Sequence, residues 1–238
     1  MNIRILHMID GAKAARGLTV IIDVFRAFSV EAYLTCCGAE RIIPVGDVRL
    51  AFDYKEKHPD AILCGERKGI IIDGFDYGNS PSQIEHVDLK GKTVIHTTSA
   101  GTQGIANAVH ADEILAGSLV SAKAIAEYIK HQNPDEVSLV CMGLEACSQT
   151  EEDNLCALYI QSLLEEQPLE NMEQEIEKLK YTSGAKFFDP AQQSVFPKRD
   201  FELCTRLNTI PFVLRLKKDS AGGLSYMERV AVFDSASF

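Results

Sequence analysis

Short apolar runs rich in β-branched residues alternate with stretches of helical period over the first two-thirds of this chain. The plainest run is LTVII at 18–22, with Gly17 just upstream; it reads as a strand buried on both faces. Ala27, Val30, Leu34 and Cys37 follow at helical spacing, and Gly38 marks the end of that helix. RIIPV at 41–45 is the next run, so 18–45 reads as strand, crossover helix, strand. Asp47 is placed to cap a helix over VRLAFDYKEKH that stops before Pro59. AILCG at 61–65, KTVIHTT at 92–98, DEILAGS at 112–118 and EVSLVCMG at 136–143 repeat the buried run. Between them lie helices over SAGTQGIANAV and LVSAKAIAEYIKHQ, the latter ending near Pro134. At the amino end, Ile3 and Ile5 alternate as a short strand before a loop that runs to Arg16.

Beyond residue 145 the character changes. SQTEEDNLCALYIQSLLEEQ is a strong helix, with Leu155, Leu158, Tyr159 and Leu163 on one stripe and a capping box from Ser148 to Glu151. An acidic helix spans 171–181, and short helical pieces alternate around Pro197 over 189–207. IPFVLRL and YMERVAVF close the chain as two late strands. No repeat, low-complexity run or flexible linker interrupts this order. The expectation is one α/β domain over 1–238, with a βα-alternating part over about 1–143 and a helical and final-strand part over about 144–238.

Composition narrows the class. The chain has 238 residues, 46% of them apolar, enough for a sizeable core. Its formal net charge of -10, with Lys and Arg scattered, argues against a nucleic-acid surface. Seven cysteines without CxxC spacing or a secretory leader read as reduced thiols of a cytoplasmic protein. No apolar span reaches the length of a transmembrane helix, so no membrane partner is expected, and the Cys and His spacings match no zinc site.

The candidate chemistry sits where strands end. Asp23 closes the 18–22 run with Arg26 three residues on, which suits a ligand site at the rim of an open sheet; Asp23 would also serve as a helix cap paired with Arg26. Glu66 and Arg67 end the 61–65 run in the same way. The loop 68–81 (KGIIIDGFDYGNSP) is long and turn-rich, as functional loops are. Three times a strand enters a small-residue turn and then a helix, at 23–29, 97–102 and 117–121. Free backbone amides, glycines and hydroxyls there form phosphate cradles, although no P-loop is present. Glu152 and Asp153 lie in the first turn of the long helix, where acids suit the dipole. Yet Glu152 is in register with Cys156, Tyr159 and Leu163, which turns it inward. Inward carboxylates with few histidines nearby suit Mg²⁺. Two nucleophile patterns fail: CMGLEAC lacks the arginine of CxxxxxR, and Phe25 breaks DxDx[TV]. Cys141 is then packing or a site wall, and His96 a satisfied histidine or a general acid.

DVFRAFS, CGER, GFDYGNSP, TTSAGT, GS, CMG and EEDNLCA occur in an order and spacing that resembles the 2-phosphosulfolactate phosphatase family, over about 18–157. That resemblance implies a three-layer α/β/α sandwich around a mixed, mostly parallel sheet, with a homodimer as the expected assembly. It also implies Mg²⁺-dependent hydrolysis of 2-phosphosulfolactate, a small anionic phosphate ester, to sulfolactate and phosphate on a coenzyme M type route. Asp23, Arg26, Glu66 and Arg67 are then the catalytic set, with Asp23, Glu66, Glu152 and Asp153 toward the metal. Ser29, Asn79, Ser80, Thr97, Thr98, Ser99, Gly101, Thr102, Ser118 and Cys141 are the candidates for holding substrate. Phe25, Phe28, Ser99, Ala100 and Leu158 depart from the family pattern; being apolar or small, they bear on the substrate more than on the chemistry. The other readings are a binding or sensing module for a small acidic metabolite, and a phosphatase for another ester.

Overall fold

Each apolar run is a strand in the structure, a computed structural model that describes residues 1–167 and 169–232. In chain order the elements are β1 (Asn2–His7), α1 (Met8–Ala14), β2 (Leu18–Ile22), α2 (Ala27–Cys36), β3 (Arg41–Pro44), α3 (Val48–Lys57) and β4 (Ile62–Arg67). β5 (Ile70–Ile71), α4 (Pro81–Ile84), β6 (Thr93–Thr97), α5 (Gly101–Asn107), β7 (Glu113–Gly117), α6 (Ala122–Gln132) and β8 (Glu136–Cys141) follow. α7 (Glu151–Leu164), α8 (Met172–Lys178), α9 (Lys198–Cys204), β9 (Phe212–Lys217) and β10 (Tyr226–Ala231) complete the described chain. Phe233, the last residue of the expected final strand, lies outside the described residues.

The ten strands of the described residues share one sheet, ordered β1-β8-β2-β7-β9-β10-β3-β6-β4-β5. The β1-β8-β2-β7 and β3-β6-β4 groups are parallel within themselves. The β9–β10 hairpin joins them through antiparallel pairings on both sides. This corrects the expected strand, crossover helix, strand unit at 18–45, because β7, β9 and β10 stand between β2 and β3. The hairpin can fill a sheet interior because Phe212, Val213 and Leu214 are all buried, on alternating faces.

Helices cover both faces, as the alternation of side chains along each strand requires. Ile21, Ala116 and Val140 pack with α1, α2, α4 and α5 on one face. Val20, Ile22, Leu115 and Leu139 pack with α6, α7 and α8 on the other, and Ile43, Leu63 and Ile95 pack with α3. α2 is enclosed nearly all round: Ala27, Phe28, Ser29, Val30, Glu31, Ala32 and Leu34 are buried. Three antiparallel pairings separate β7 from β3, so the two parallel groups run in opposite senses along the ladder. Their carboxyl ends nevertheless meet, since a Cβ on Gly101 would lie 2.9 Å from Asp23 Oδ2.

Local signals hold at several points. Asp47 accepts from the Arg49 amide and caps α3, and Gly38 takes φ +94 just after α2. Residues 8–16 are not the expected loop: MIDGAKA forms α1, without a capping side chain, because packing on β8 and α5 stabilises it. The Ser148–Glu151 capping box does not form. Thr150 is the N-cap of α7, and the Ser148 backbone is bound to Leu144 in a preceding turn. Leu158 is 49% exposed, so the buried stripe of α7 is Cys156, Tyr159, Ile160 and Leu164. Among the described residues no helix is long and apolar enough to cross a membrane.

Candidate active site

β2 delivers Asp23 to the rim, where its Oδ1 accepts from the Ala27 amide at 3.1 Å and so starts α2. β4 delivers Glu66, which accepts from the Gly69 and Ser99 amides at 2.6 Å each and from the Ser99 hydroxyl at 3.1 Å. The first turn of α7 delivers Glu152, buried, with its Oε2 lacking a hydrogen-bond partner among the described residues. These three carboxylates line one cavity together with Arg26, Lys68, Lys186, Asn79, Ser99 and Phe196. The turn residues expected to cradle phosphate spend several amides on these acids instead, because a helix-start amide satisfies any nearby anion.

Burial sets the electrostatics. It pushes the Asp23 carboxyl up to about 6, and the charges of Glu66 and Glu152 add to the rise. Glu152 and Asp153 are raised too, burial leading in both. Lys186 is lowered by burial, with Glu152 working against the shift. The acids therefore crowd one another and only a few cations answer them. No three His, Cys, Asp or Glu side chains among the described residues stand as a ready-made metal cluster.

Other expected residues support the site from outside the cavity. Asp153 accepts from the Val24 and Gly143 amides at 2.8 Å each, clamping the ends of β2 and β8. Arg67 turns to the Glu66 and Gly46 carbonyls and the Thr97 hydroxyl. Ser29 donates to the Val24 carbonyl, and Thr98 and Thr102 bond one another at the start of α5. Ser118 is buried, and its hydroxyl has no partner among the described residues. The Cys141 thiol is packed and faces the Asp153 carbonyl at 3.4 Å. Gly101 stands where any Cβ would fall 2.7 Å from Ala27 Cβ, so its lack of a side chain lets the starts of α2 and α5 approach.

Several groups escaped the sequence reading. Asp200, from α9, is fully buried and receives Arg26 Nη1 at 2.7 Å; its other oxygen accepts from the Ser80 hydroxyl and the Ser82 amide. Phe196 lies 4.8 Å beneath the Arg26 guanidinium, and Nη1 also donates to the Val195 carbonyl. Lys186 comes from the same C-terminal segment. Nothing in PKRDFELC or GAKFF marks these residues locally, since their use depends on where the segment lands. The basic and aromatic mix around 186–199 is the single signal present.

Comparison with known proteins gives the family. The model of the 2-phosphosulpholactate phosphatase family matches residues 4–219. The chain belongs to that family. A protein of Bacillus subtilis (strain 168), named "Probable 2-phosphosulfolactate phosphatase", is 30% identical over 92% of this chain and 94% of its own length. A protein of the same name from Carboxydothermus hydrogenoformans is 42% identical over 70% of this chain and 69% of its own. One from Caldicellulosiruptor saccharolyticus is 42% identical over 60% of this chain and 61% of its own. The family match extends past the motifs at 18–157 into the segment that supplies Lys186, Phe196 and Asp200, and so includes the wall of the cavity formed by the C-terminal third.

Proposed function

We propose that the protein is a Mg²⁺-dependent phosphatase that hydrolyses 2-phosphosulfolactate to sulfolactate and phosphate. The observation that carries the reading is the convergence of Asp23, Glu66 and Glu152 with Arg26, Lys68 and Lys186 in one cavity of a chain from this family. The residues present fit a hard dication. Glu152 Oε2 is buried without a partner among the described residues, and the charges of Glu66 and Glu152 oppose ionisation of Asp23. Mg²⁺ commonly uses one or two carboxylates and completes its shell with water and substrate phosphate, so it needs no preformed cage. Asp23, Glu66 and Glu152, which line the cavity, would hold it; Asp153 lies outside that lining and serves to place its neighbour. When bound, the ion polarises the phosphoryl group and offsets its charge.

The protein's own groups do the rest. Arg26, gripped by Asp200, keeps its Nε hydrogen and one Nη2 hydrogen for phosphoryl oxygens, where charge builds in the transition state. Lys68 and Lys186 answer the carboxylate and sulfonate of the substrate. Ser99 fixes Glu66 and so holds that wall of the cavity. Phe25 and Phe196 line the cavity and exclude water beside Arg26.

The deciding experiment is phosphate release from 2-phosphosulfolactate and a panel of phosphate esters, with Mg²⁺ and with EDTA. Metal-dependent release favouring the sulfonated ester is expected. Release from other esters alone would keep the chemistry and replace the substrate. No release from any would discard catalysis in favour of binding an acidic metabolite.

A further inference from the structure

His96 and Glu31 are both wholly buried, and neither lines the cavity. A carboxylate in the middle of an enclosed helix such as α2 is costly unless something answers it. Glu31 Oε1 lies 2.9 Å from His96 Nδ1, while Oε2 has no partner among the described residues, so the histidine alone holds this carboxyl. The other ring nitrogen, Nε2, lies 3.3 Å from Asn79 Oδ1. Asn79 does line the cavity, beside Arg26. Three side chains from α2, β6 and the loop after β5 thus form one line that ends at the site.

The chemistry of the line decides what it presents. An amide oxygen only accepts, so Nε2 carries a hydrogen in this arrangement. The proton on the other side sits on Nδ1 or on the Glu31 carboxyl; Nε2–H survives either way, and the Glu31–His96 pair is neutral in both. With Oδ1 engaged, the NH₂ group is the part of Asn79 left for the cavity. Were Nε2 bare, the amide would turn over and offer its oxygen to an incoming anion, which repels it. We infer that His96, oriented by Glu31, is a positioning residue that fixes Asn79 as a hydrogen-bond donor to an oxyanion, the phosphoryl group on the phosphatase reading above, on which the inference rests.

The test is a double-mutant cycle read by binding of inorganic phosphate in the presence of Mg²⁺, with phosphate-release kinetics alongside. Asn79→Ala and His96→Asn should each weaken phosphate binding by roughly 10-fold or more, the worth of a hydrogen bond to a charged group. Combined, they should cost little more than Asn79→Ala alone. His96→Gln, whose amide nitrogen reaches the place of Nε2, should recover most of the loss. Additive penalties, or a His96→Gln variant as weak as His96→Asn with both folded by circular dichroism, would overturn the inference. Nitrogen NMR of the imidazole in the wild-type protein gives a readout independent of activity, and a bare Nε2 at neutral pH would also overturn it. A protonated Nε2 and a non-additive cycle in a protein that releases no phosphate would leave this inference standing and remove the phosphatase reading.

Discussion

Asp23 shows at one residue how a site opposes the fold that carries it. Its carboxyl is raised to about 6 from an ordinary 3.8, so between those two pH values the folded protein holds a proton there that the unfolded chain has lost. Stability from this group is therefore complete below the ordinary aspartate range and falls as pH rises through that window, by about 3 kcal/mol at full ionisation. Asp23→Asn should raise the melting temperature of the EDTA-treated protein at neutral pH by several degrees, leave it unchanged at acid pH, and abolish turnover. A melting temperature that rises equally at both pH values would show that relief of charge is not the cause. Arg26 is the opposite case. Arg26→Ala removes a donor to the transition state and leaves Asp200 buried and unpaired, so it should lower turnover by roughly 10²-fold or more and stability by about 3–5 kcal/mol. Near wild-type turnover would remove Arg26 from the catalytic set. Both side chains were legible in the sequence as charges at a strand end. Asp200, which decides how Arg26 sits, was not, because 174 residues separate the pair.

Among the elements, α2 and the β9–β10 hairpin matter most. α2 carries Ala27 and Phe28 against the start of α5, and a Cβ at Gly101 would meet Ala27 Cβ at 2.7 Å and the Phe28 ring at 3.2 Å. Gly101→Ala should therefore push α5 away from the start of α2, costing about 1–3 kcal/mol of stability through overpacking. The larger expected effect is on turnover, since the same Cβ falls beside Asp23 Oδ2. Thermal melts and steady-state rates on the one variant separate the two; a loss of stability with full activity would mean that the α2–α5 approach does not set the site. Helices and strands with clear period and caps, such as α3 with Asp47, were readable from local residues. α1 was not, because seven residues including a glycine form a helix there through packing rather than propensity.

Across the whole molecule, a net charge of -10 would repel a multiply charged ester. The cavity answers locally, with Arg26, Lys68 and Lys186 set against Asp23, Glu66, Glu145 and Glu152, and that lining is still short of positive charge. Binding of an anion should accordingly depend on a dication. Inorganic phosphate should raise the melting temperature in the presence of Mg²⁺ and not in EDTA, by an amount that grows with the logarithm of its concentration above Kd. Equal protection in EDTA would mean that the basic side chains suffice and that the carboxylates have another use. The global sign of the charge, read from composition, excludes broad polyanion surfaces but says little about a site this small.

The order of strands and helices apart from α1, the burial of 18–22 on both faces, the carboxylates at strand ends and the family motifs all follow from residues close together in the chain. Period, capping and turn chemistry act over a few positions, so a single sequence carries them. The insertion of the last hairpin between two parallel groups, the meeting of their rims and the turning of Arg67 toward backbone carbonyls are decided only by the tertiary structure. So are the recruitment of Lys186 and Asp200 and the burial of Glu31 against His96. Each depends on which distant surface remains to be covered and which buried charge remains to be answered, and no local window contains that information.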